Sequence, residues 1–441
     1  MEKHKTDLQL RHDIRDLVQE FCDNKYSQST FVPGETPIPV SGKVIGFDEI
    51  SLIIESALDG WLTTGRFNSE FEKKLAKFLG IRYLLSVNSG SSANLVAFST
   101  LTSPLLAERA IHRGDEIITV AAGFPTTINP ILQYGAIPVF VDVDYLTHNI
   151  DVSKIESAIS SKTRAIMLAH TLGNPFNVKE VKAICEKHRL WLVEDCCDAL
   201  GSLYDGKLVG TFGDIGTLSF YPAHHITMGE GGAVFTNNSK LKLIAESFRD
   251  WGRDCYCEPG QDNTCKKRFS WKLGELPEGY DHKYIYSHVG YNLKITDMQA
   301  ACALAQLGKL DNFIEKRRQN FGYLFKKLAN YTDYFDLPVA TPLSNPSWFG
   351  FPITLRESNA SRRTDLLRFL ESNKIGSRLL FAGNVTKQPY MKHQIFKVSG
   401  TLTNTDKIMN QTFWVGVFPG INEEMLDFVS EKIIEFVSGK I

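Results

Sequence analysis

The chain has 441 residues, enough for two or three domains with a large core. Hydrophobic residues make up 43% of it, charged residues 22%, and the formal net charge is -1, which excludes a general attraction to nucleic acid or anionic membranes. The polar N-terminus lacks the apolar core of a signal peptide, and no apolar run reaches the about 20 residues that span a bilayer. We therefore expect a cytoplasmic protein whose eight cysteines are thiols, metal ligands or catalysts rather than disulfides.

An N-terminal arm is predicted over residues 1–45. The segment QLRHDIRDLVQEFC spaces its apolar residues as a helix does, and a polar, proline-containing stretch follows it. We expect this helix to pack on the main body of the protein or on a second subunit.

Strand-like runs alternate with helical patterns over residues 46–305, which we predict to form a large domain. The runs are short and rich in Val, Ile and Leu: YLLSV, EIITVAAGF, IPVFVDVD, AIMLAH, LWLVEDC, TLSFY and GAVFT. Near-continuous apolar strands between helices indicate an α/β fold, a mostly parallel sheet with helices on both faces. Such sheets bind ligands beyond the carboxyl ends of their strands.

The rest of the chain, residues 306–441, is predicted to form a smaller α+β C-terminal domain. It begins with a long charged helical pattern, and SWFGFPITL and TFWVGVFPG are predicted as its strands. A Cys-rich insertion over residues 251–285 precedes it, within the large domain.

Three strand ends carry residues suited to a flat, phosphorylated cofactor. The turn NSGSSANL after the first strand leaves backbone N–H groups free at a helix start, either as a phosphate site or as a simple N-cap. Phe124 follows the second strand, either stacking on a heteroaromatic ring or packing in the core. Asp195, at the mouth of a buried strand, either holds a protonated pyridine nitrogen or caps the next helix.

Together these strand ends resemble the aspartate-aminotransferase fold (PLP fold type I), within the DegT/DnrJ/EryC1-type sugar aminotransferase family that acts on nucleotide-linked 4-keto sugars. The resemblance covers the chain from about residue 45 onward and is carried by motifs in order: SGSSANL, GFPTTINPI, GAIPVFVDVD, EDCCDALG, SFYPAHH, GEGGAV and GYNLKITDMQAA. It implies that residues 46–305 bind pyridoxal phosphate.

The sequence departs from that pattern in two ways, and the first concerns two residues of the site. His224 occupies the position of the lysine that typically holds the cofactor aldehyde covalently; an imidazole cannot, but it can act as a base or acid near neutral pH. The site therefore suits pyridoxamine phosphate, with His224 removing a proton from the cofactor methylene so that a neighbouring hydroxyl leaves. This is dehydration rather than amino transfer. Asp198 replaces a common Gln, either by a change of chemistry or by neutral substitution.

The cysteines are the second departure. Cys197 lies beside Asp195, and WGRDCYCEPGQDNTCKKR adds Cys255, Cys257 and Cys265. Thiolates in fours hold zinc or iron–sulfur clusters, and the C-x-C spacing alone leaves structural zinc or no metal open. Function favours iron and sulfur, because turning a dehydrated sugar into a deoxy sugar takes two electrons, which such a centre delivers singly.

With both departures, the sequence resembles the CDP-4-keto-6-deoxyglucose-3-dehydrase family. That family uses pyridoxamine phosphate (PMP) and a [2Fe-2S] cluster, and it acts in 3,6-dideoxyhexose biosynthesis for lipopolysaccharide O-antigens. The resemblance implies His224 as the base, Asp195 as the pyridine partner, and four cluster ligands: Cys197, Cys255, Cys257 and Cys265. The residues alone do not distinguish Cys196 from Cys197, whereas the family pattern favours Cys197. The remaining thiols are expected to be ordinary ones: Cys22, Cys185 and Cys302.

The resemblance implies further contacts with the cofactor and substrate. Phosphate would be bound by the turn and a nearby hydroxyl: Gly90, Ser91, Ser92 and Ser219. Phe124 would stack on the ring, and Asp198 and Tyr221 would line the site. Asn292 would reach the phosphate of the partner subunit in a homodimer with shared active sites, and Arg378 is a candidate for the nucleotide diphosphate.

The predicted reaction is reductive C3 deoxygenation of CDP-6-deoxy-4-keto-glucose, with electrons from an NADH-dependent FAD/[2Fe-2S] reductase. The run Lys266, Lys267 and Arg268 either guides that partner or is a solvated surface run. Two alternatives stay open: a PLP-dependent nucleotide-sugar aminotransferase with an altered site, and a noncatalytic protein with structural zinc. The missing lysine opposes the first, and the intact Asp195 and phosphate turn oppose the second.

Overall fold

A computed structural model describes residues 5–26, 30–257 and 260–439. The predicted arm, insertion and C-terminal domain also include residues outside these ranges, at 1–4, 27–29, 258–259 and 440–441. The helices are α1 Asp7–Lys25, α2 Phe47–Leu58, α3 Arg66–Leu79, α4 Gly90–Leu101, α5 Pro125–Tyr134, α6 Ile155–Ala158, α7 Val178–His188, α8 Ser239–Arg249, α9 Asp297–Leu307, α10 Leu310–Leu328, α11 Arg363–Ser372, α12 Thr403–Gln411 and α13 Glu423–Val437. The strands are β1 Tyr83–Val87, β2 Glu116–Val120, β3 Ile137–Val141, β4 Thr163–Ala169, β5 Trp191–Asp195, β6 Leu203–Tyr204, β7 Lys207–Leu208, β8 Ile215–Ser219, β9 Gly232–Thr236, β10 Phe335–Asp336, β11 Ser344–Asn345, β12 Gly350–Leu355, β13 Ser377–Leu379, β14 Lys397–Val398 and β15 Thr412–Gly416.

The large domain is built on an eight-stranded sheet with the order β1-β9-β8-β5-β4-β2-β3-β14. Strands β8, β5, β4, β2, β3 and β14 run parallel, and β9 is antiparallel to both of its neighbours. The predicted α/β fold class, a mostly parallel sheet covered by helices, is therefore confirmed. The carboxyl ends of the parallel strands share one edge, where a ligand site is expected.

Helices cover both faces of this sheet, which explains why its strands are apolar at nearly every position. Every residue of β2, β5, β8 and β9 is buried. One face packs against α3 through residues such as Phe71 and Leu75, and the other packs against α4 through Val96 and Leu101. Both layers hold the strand ends rigidly in place.

The C-terminal domain has its own four-stranded antiparallel sheet, β10-β12-β15-β13, packed on α10, α11 and α13. The predicted strand segments SWFGFPITL and TFWVGVFPG contain β12 and β15. The predicted boundary at residue 305 falls inside the last turn of α9. Two C-terminal strands cross this boundary: β14 pairs with β3 at the edge of the large sheet, and β11 pairs with β6 in a small three-stranded sheet.

The N-terminal arm packs on the main body in two places. Helix α1 begins with a capping box at Thr6 and lies against α2, where Arg11 pairs with Glu55 at 2.8 Å. The second half of the arm contacts the C-terminal domain: Phe31 lies edge-on to Phe428, with ring centroids 6.1 Å apart. The arm therefore contacts both α2 and α13.

Candidate active site

A cavity of about 670 Å³ lies at the carboxyl edge of the parallel strands, a usual size for a small-molecule site. Its walls come from the turns that follow β1, β2, β4, β5 and β8 and from the C-terminal domain. The predicted site residues that line it are Gly90, Ser91, Phe124, Asp195, Cys197, Asp198, Ser219, Tyr221, His224 and Arg378. Residues far apart in sequence therefore converge on one cavity.

The phosphate turn after β1 leads into α4. The Ser89 hydroxyl accepts the N–H of Ser92 at 3.0 Å, so α4 starts with free backbone N–H groups facing the cavity around Gly90. A Cβ atom on Gly90 would lie 2.4 Å from Cβ of Ser219 and 3.1 Å from Sγ of Cys197. Only glycine fits here, which lets an anion approach the backbone closely.

Asp195 ends β5 with its carboxylate held on both oxygens. Asn94 Nδ2 and Thr127 Oγ1 donate to Oδ2 at 2.8 and 2.7 Å, and the N–H of Cys197 donates to Oδ1 at 3.0 Å. Such donors stabilise a carboxylate at a site of only 5% exposure. Asn94 and Thr127 lie inside the quoted motifs SGSSANL and GFPTTINPI, although sequence reasoning assigned them no role.

His224 lies in the turn between β8 and β9, and its ring faces the cavity. Its Nδ1 is 3.5 Å from Oδ1 of Asp198. Burial lowers the pKa of His224 to about 4, whereas burial and the charge of Asp195 raise the pKa of Asp198 to about 8. The imidazole is therefore neutral at pH 7. The next residue, His225, points away, with Nε2 2.9 Å from the carbonyl oxygen of Ser347.

Two residues that the sequence did not single out hold His224 in position. The fully buried guanidinium of Arg317 donates to the carbonyl of His224 at 3.2 Å and to the carbonyls of Trp348 and Phe349 at 3.2 Å each. The ring of Phe349 lies 5.2 Å from that of His224. Arg317 belongs to a charged run that is typical of a solvated helix, and Phe349 to an apolar strand, so neither pattern indicates a role in the site.

Three of the predicted metal ligands come together in the insertion. The Sγ atoms of Cys255, Cys257 and Cys265 all lie within 4.8 Å of one another, and we call these residues the thiol group. Burial raises the pKa of Cys255 to about 11. Burial also acts to raise the pKa of Cys257, but hydrogen bonds from Thr264 and the N–H of Cys265 lower it to about 7.

The fourth predicted ligand, Cys197, is not part of the thiol group and lines the central cavity instead. Its neighbour Cys196 is buried, and its Sγ lies 3.6 Å from the carbonyl of Glu194. Of the two adjacent thiols, Cys197 is therefore the one that faces open space.

Two further predicted residues do not line the cavity. Ser92 is engaged within the turn, where its hydroxyl donates to Oδ1 of Asn88 at 2.6 Å. Asn292 is exposed and accepts from Nζ of Lys294 at 2.8 Å, so its predicted contact with a partner subunit stays a prediction.

The basic run of the insertion is largely engaged within its own protomer. Arg268 pairs with Asp281 at 2.9 Å, and Nζ of Lys267 lies 4.6 Å from the ring centroid of Trp271. These contacts leave less free positive charge for a partner than the sequence suggests.

Comparison with known proteins identifies the family. Residues 44–434 match the DegT/DnrJ/EryC1/StrS aminotransferase family. The chain belongs to this family. Helix α1 lies outside the matched region. Within the described ranges of this chain, no helix is long and apolar enough to cross a membrane.

Several relatives carry functional names. The lipopolysaccharide biosynthesis protein RfbH of Salmonella typhimurium is 62% identical, over 97% of this chain and 98% of the relative. A dTDP-4-dehydro-2,6-dideoxy-D-glucose 3-dehydratase of Saccharopolyspora spinosa is 54% identical, over 93% and 88%. Among solved structures, an E. coli GDP-4-keto-6-deoxy-D-mannose-3-dehydratase with bound hydrated PLP has a TM-score of 0.80 and 28% identity, and covers 90% of this chain and 99% of that one.

Proposed function

We propose that the protein removes the C3 hydroxyl of CDP-6-deoxy-4-keto-glucose, using PMP and a [2Fe-2S] cluster, with electrons from an NADH-dependent reductase. The observation that carries the proposal is His224, which faces a cavity that also contains Asp195 and the phosphate turn. No lysine is among the described residues that line this cavity. A covalent anchor for the cofactor is thus missing while its noncovalent contacts are present.

The residues of the cavity suit PMP. Backbone N–H groups at Gly90 and Ser91 and the hydroxyl of Ser219 would bind its phosphate, Asp195 its pyridine nitrogen, and Phe124 would stack on its ring. When bound, PMP supplies an amine for the substrate ketone and a ring that accepts electrons. Without a covalent link, these contacts carry all of the cofactor's binding energy.

His224 would move the proton. Its imidazole is neutral at pH 7 and Arg317 holds its backbone carbonyl, so the ring nitrogen that carries no hydrogen would take the proton from the bound cofactor. The same group would then protonate the departing C3 hydroxyl, because a leaving hydroxide needs an acid.

The thiol group and Cys197 would hold the cluster, whose chemistry is the supply of single electrons. Three sulfur atoms within 4.8 Å of one another suit a thiolate-bound metal centre.

The substrate is proposed from relatives and from the family resemblance. The names of the Saccharopolyspora and E. coli relatives place 3-dehydration of nucleotide-linked keto sugars in this family. CDP follows from the resemblance to the CDP-4-keto-6-deoxyglucose-3-dehydrase family. Arg378, exposed at the rim of the cavity, is the residue we propose for the diphosphate.

One other function is favoured by an observation: the family match itself supports a PLP-dependent nucleotide-sugar aminotransferase. That activity requires an amine to return to the cofactor from glutamate, and His224 cannot provide the lysine that usually mediates this transfer.

The visible spectrum of anaerobically purified protein separates these functions. We expect iron–sulfur absorption that bleaches on reduction, with two irons per chain, the number in a [2Fe-2S] centre. A protein without iron–sulfur absorption that takes up PLP and uses glutamate would favour the aminotransferase. A colourless zinc protein that binds neither form of the cofactor would mean a noncatalytic scaffold.

A further inference from the structure

The thiol group has three ligands for a metal centre that takes four. Cys255, Cys257 and Cys265 lie within 4.8 Å of one another, and no fourth cysteine joins them in the part of the chain that the structure describes. A [2Fe-2S] cluster is held by four protein ligands. The centre is therefore one thiolate short within a single protomer.

Cys197 is fixed in a different place. It directly follows β5, its N–H is bonded to Asp195 Oδ1 at 3.0 Å, and its Sγ packs against Gly90. The cavity that Cys197 lines and the small cavity around the thiol group share no residues. Moving Cys197 out of the cavity would break its hydrogen bond to Asp195 at the end of β5.

The insertion is also fixed to its own protomer. The N–H of Asp254 donates to the carbonyl of Ile285 at 2.9 Å, and the N–H of Ser287 donates to that of Gly252 at 2.8 Å. Within the insertion, Gly260 lies so close to Trp61 that a Cβ atom would be 2.8 Å from its ring. These contacts hold the insertion against its own protomer.

His282 is the nearest nitrogen donor, but its geometry is that of a hydrogen-bonding neighbour. Its Nδ1 lies 3.7 Å from Sγ of Cys265, while Nε2 lies 2.9 Å from Oδ2 of Asp254 and the ring stacks on Trp271. It is not within 4.8 Å of all three sulfur atoms. His282 is thus suited to donate an N–H to a cluster thiolate rather than to complete the ligand set.

We propose that the cluster is completed between two copies of the chain, by the thiol group of one protomer and the partner subunit's Cys197. This rests on the proposed function, which supplies the cluster and its four ligands. Two such centres form in each homodimer, each beside the cofactor of the protomer that contributes Cys197.

The surface at the end of the insertion and just after it supports a second copy as the occupant. Tyr284, Tyr286 and Val289 are 57, 52 and 93% exposed, so three large hydrophobic side chains within six residues are uncovered in the single chain. The mouth of the central cavity is also open, with Phe124 and Tyr221 each 52% exposed. Placing the insertion of one protomer over the cavity of the other covers both surfaces and brings the fourth thiolate to the other three.

A mixed dimer tests the proposal. Chains with Cys197→Ser and chains with Cys257→Ser carry different affinity tags, are co-expressed, and the dimer with one of each is isolated and reconstituted anaerobically with iron and sulfide. We expect no cluster in either parent homodimer and half of the wild-type iron and cluster absorbance in the mixed dimer. A mixed dimer of Cys302→Ser and Cys257→Ser chains is the reference for half loading.

Three other outcomes would overturn either the shared cluster or the proposed function. A mixed dimer without iron, beside a fully loaded wild type and parents that still bind PMP, means that the ligands come from one chain and overturns the shared cluster. A Cys197→Ser homodimer that keeps full iron means that Cys197 is not a ligand and also overturns it. A wild type that takes up no iron and sulfide overturns the proposed function, and the shared cluster with it.

Discussion

The phosphate turn has no room for a side chain at Gly90. A Cβ atom there would lie 2.4 Å from Cβ of Ser219, so Gly90→Ala must displace either Ser219 or the start of α4. Both are proposed to bind the phosphate. We expect PMP affinity to fall at least about tenfold, a loss of about 1.4 kcal/mol, measured by titration of the apoprotein. Gly322→Ala, at an exposed position in α10 with open space around it, is the control. It should keep wild-type affinity, and equal losses in both variants would contradict the account.

His224 decides between proton transfer and a covalent anchor. We expect His224→Lys to abolish C3 deoxygenation and to capture PLP covalently, as shown by a borohydride-stable mass increase on the chain. His224→Asn should bind PMP but not exchange the methylene proton of the cofactor with solvent, because the amide cannot serve as the base. Full deoxygenase turnover by the lysine variant would remove the role proposed for His224.

At the scale of elements, α10 holds the His224 turn through one buried side chain. Arg317→Met leaves three carbonyls without their donor, and we expect it to lower stability by about 1–3 kcal/mol and to slow proton exchange at the cofactor methylene. Arg318→Met is the matched control, because Arg318 donates to carbonyls of Gly201, Asn345 and Pro346 but not to that of His224. If the control slows exchange as much at equal loss of stability, Arg317 does not act through His224.

The elements differ in how far the sequence predicts them. The buried strands follow directly from apolar runs bounded by turns, since a strand covered on both faces needs no polar side. The pairing of β14 with β3 could not be predicted, because two residues carry no periodic signal and their partner lies over 250 positions away, at Lys397 and Val139. Likewise, the burial of Arg317 depends on carbonyls from distant loops, so its charge alone suggested a surface position.

Some residues of the candidate site could also be predicted from the sequence, and others could not. Residues that end strands, such as Asp195 and Ser219, were predictable, because the topology of a parallel sheet brings strand ends together. The separation of Cys197 from the thiol group was not predictable, since the spacing of cysteines in sequence does not fix which of them the fold brings together.

For the whole molecule, buried neutral histidines make stability depend on pH. Burial lowers the pKa of His148 from 6.5 to about 4, so the unfolded chain binds a proton that the folded chain does not. The free energy of unfolding should therefore fall as the pH drops from 6.5 to about 4, with about 3 kcal/mol due to His148. His148→Asn, which tolerates the φ of 60° at this position, should flatten the fall by that amount in urea titrations. The exposed His12→Asn control should leave the slope unchanged, and an unchanged slope in His148→Asn would contradict the assignment.

The fate of the substrate tests the central claim most directly. Holoenzyme with PMP and cluster is incubated anaerobically with CDP-6-deoxy-4-keto-glucose, the reductase and NADH, and the nucleotide sugar is identified by mass spectrometry. We predict a keto sugar that has lost the C3 oxygen and contains no new nitrogen. A 4-amino sugar that keeps its C3 hydroxyl, formed as PMP becomes PLP, would contradict the account.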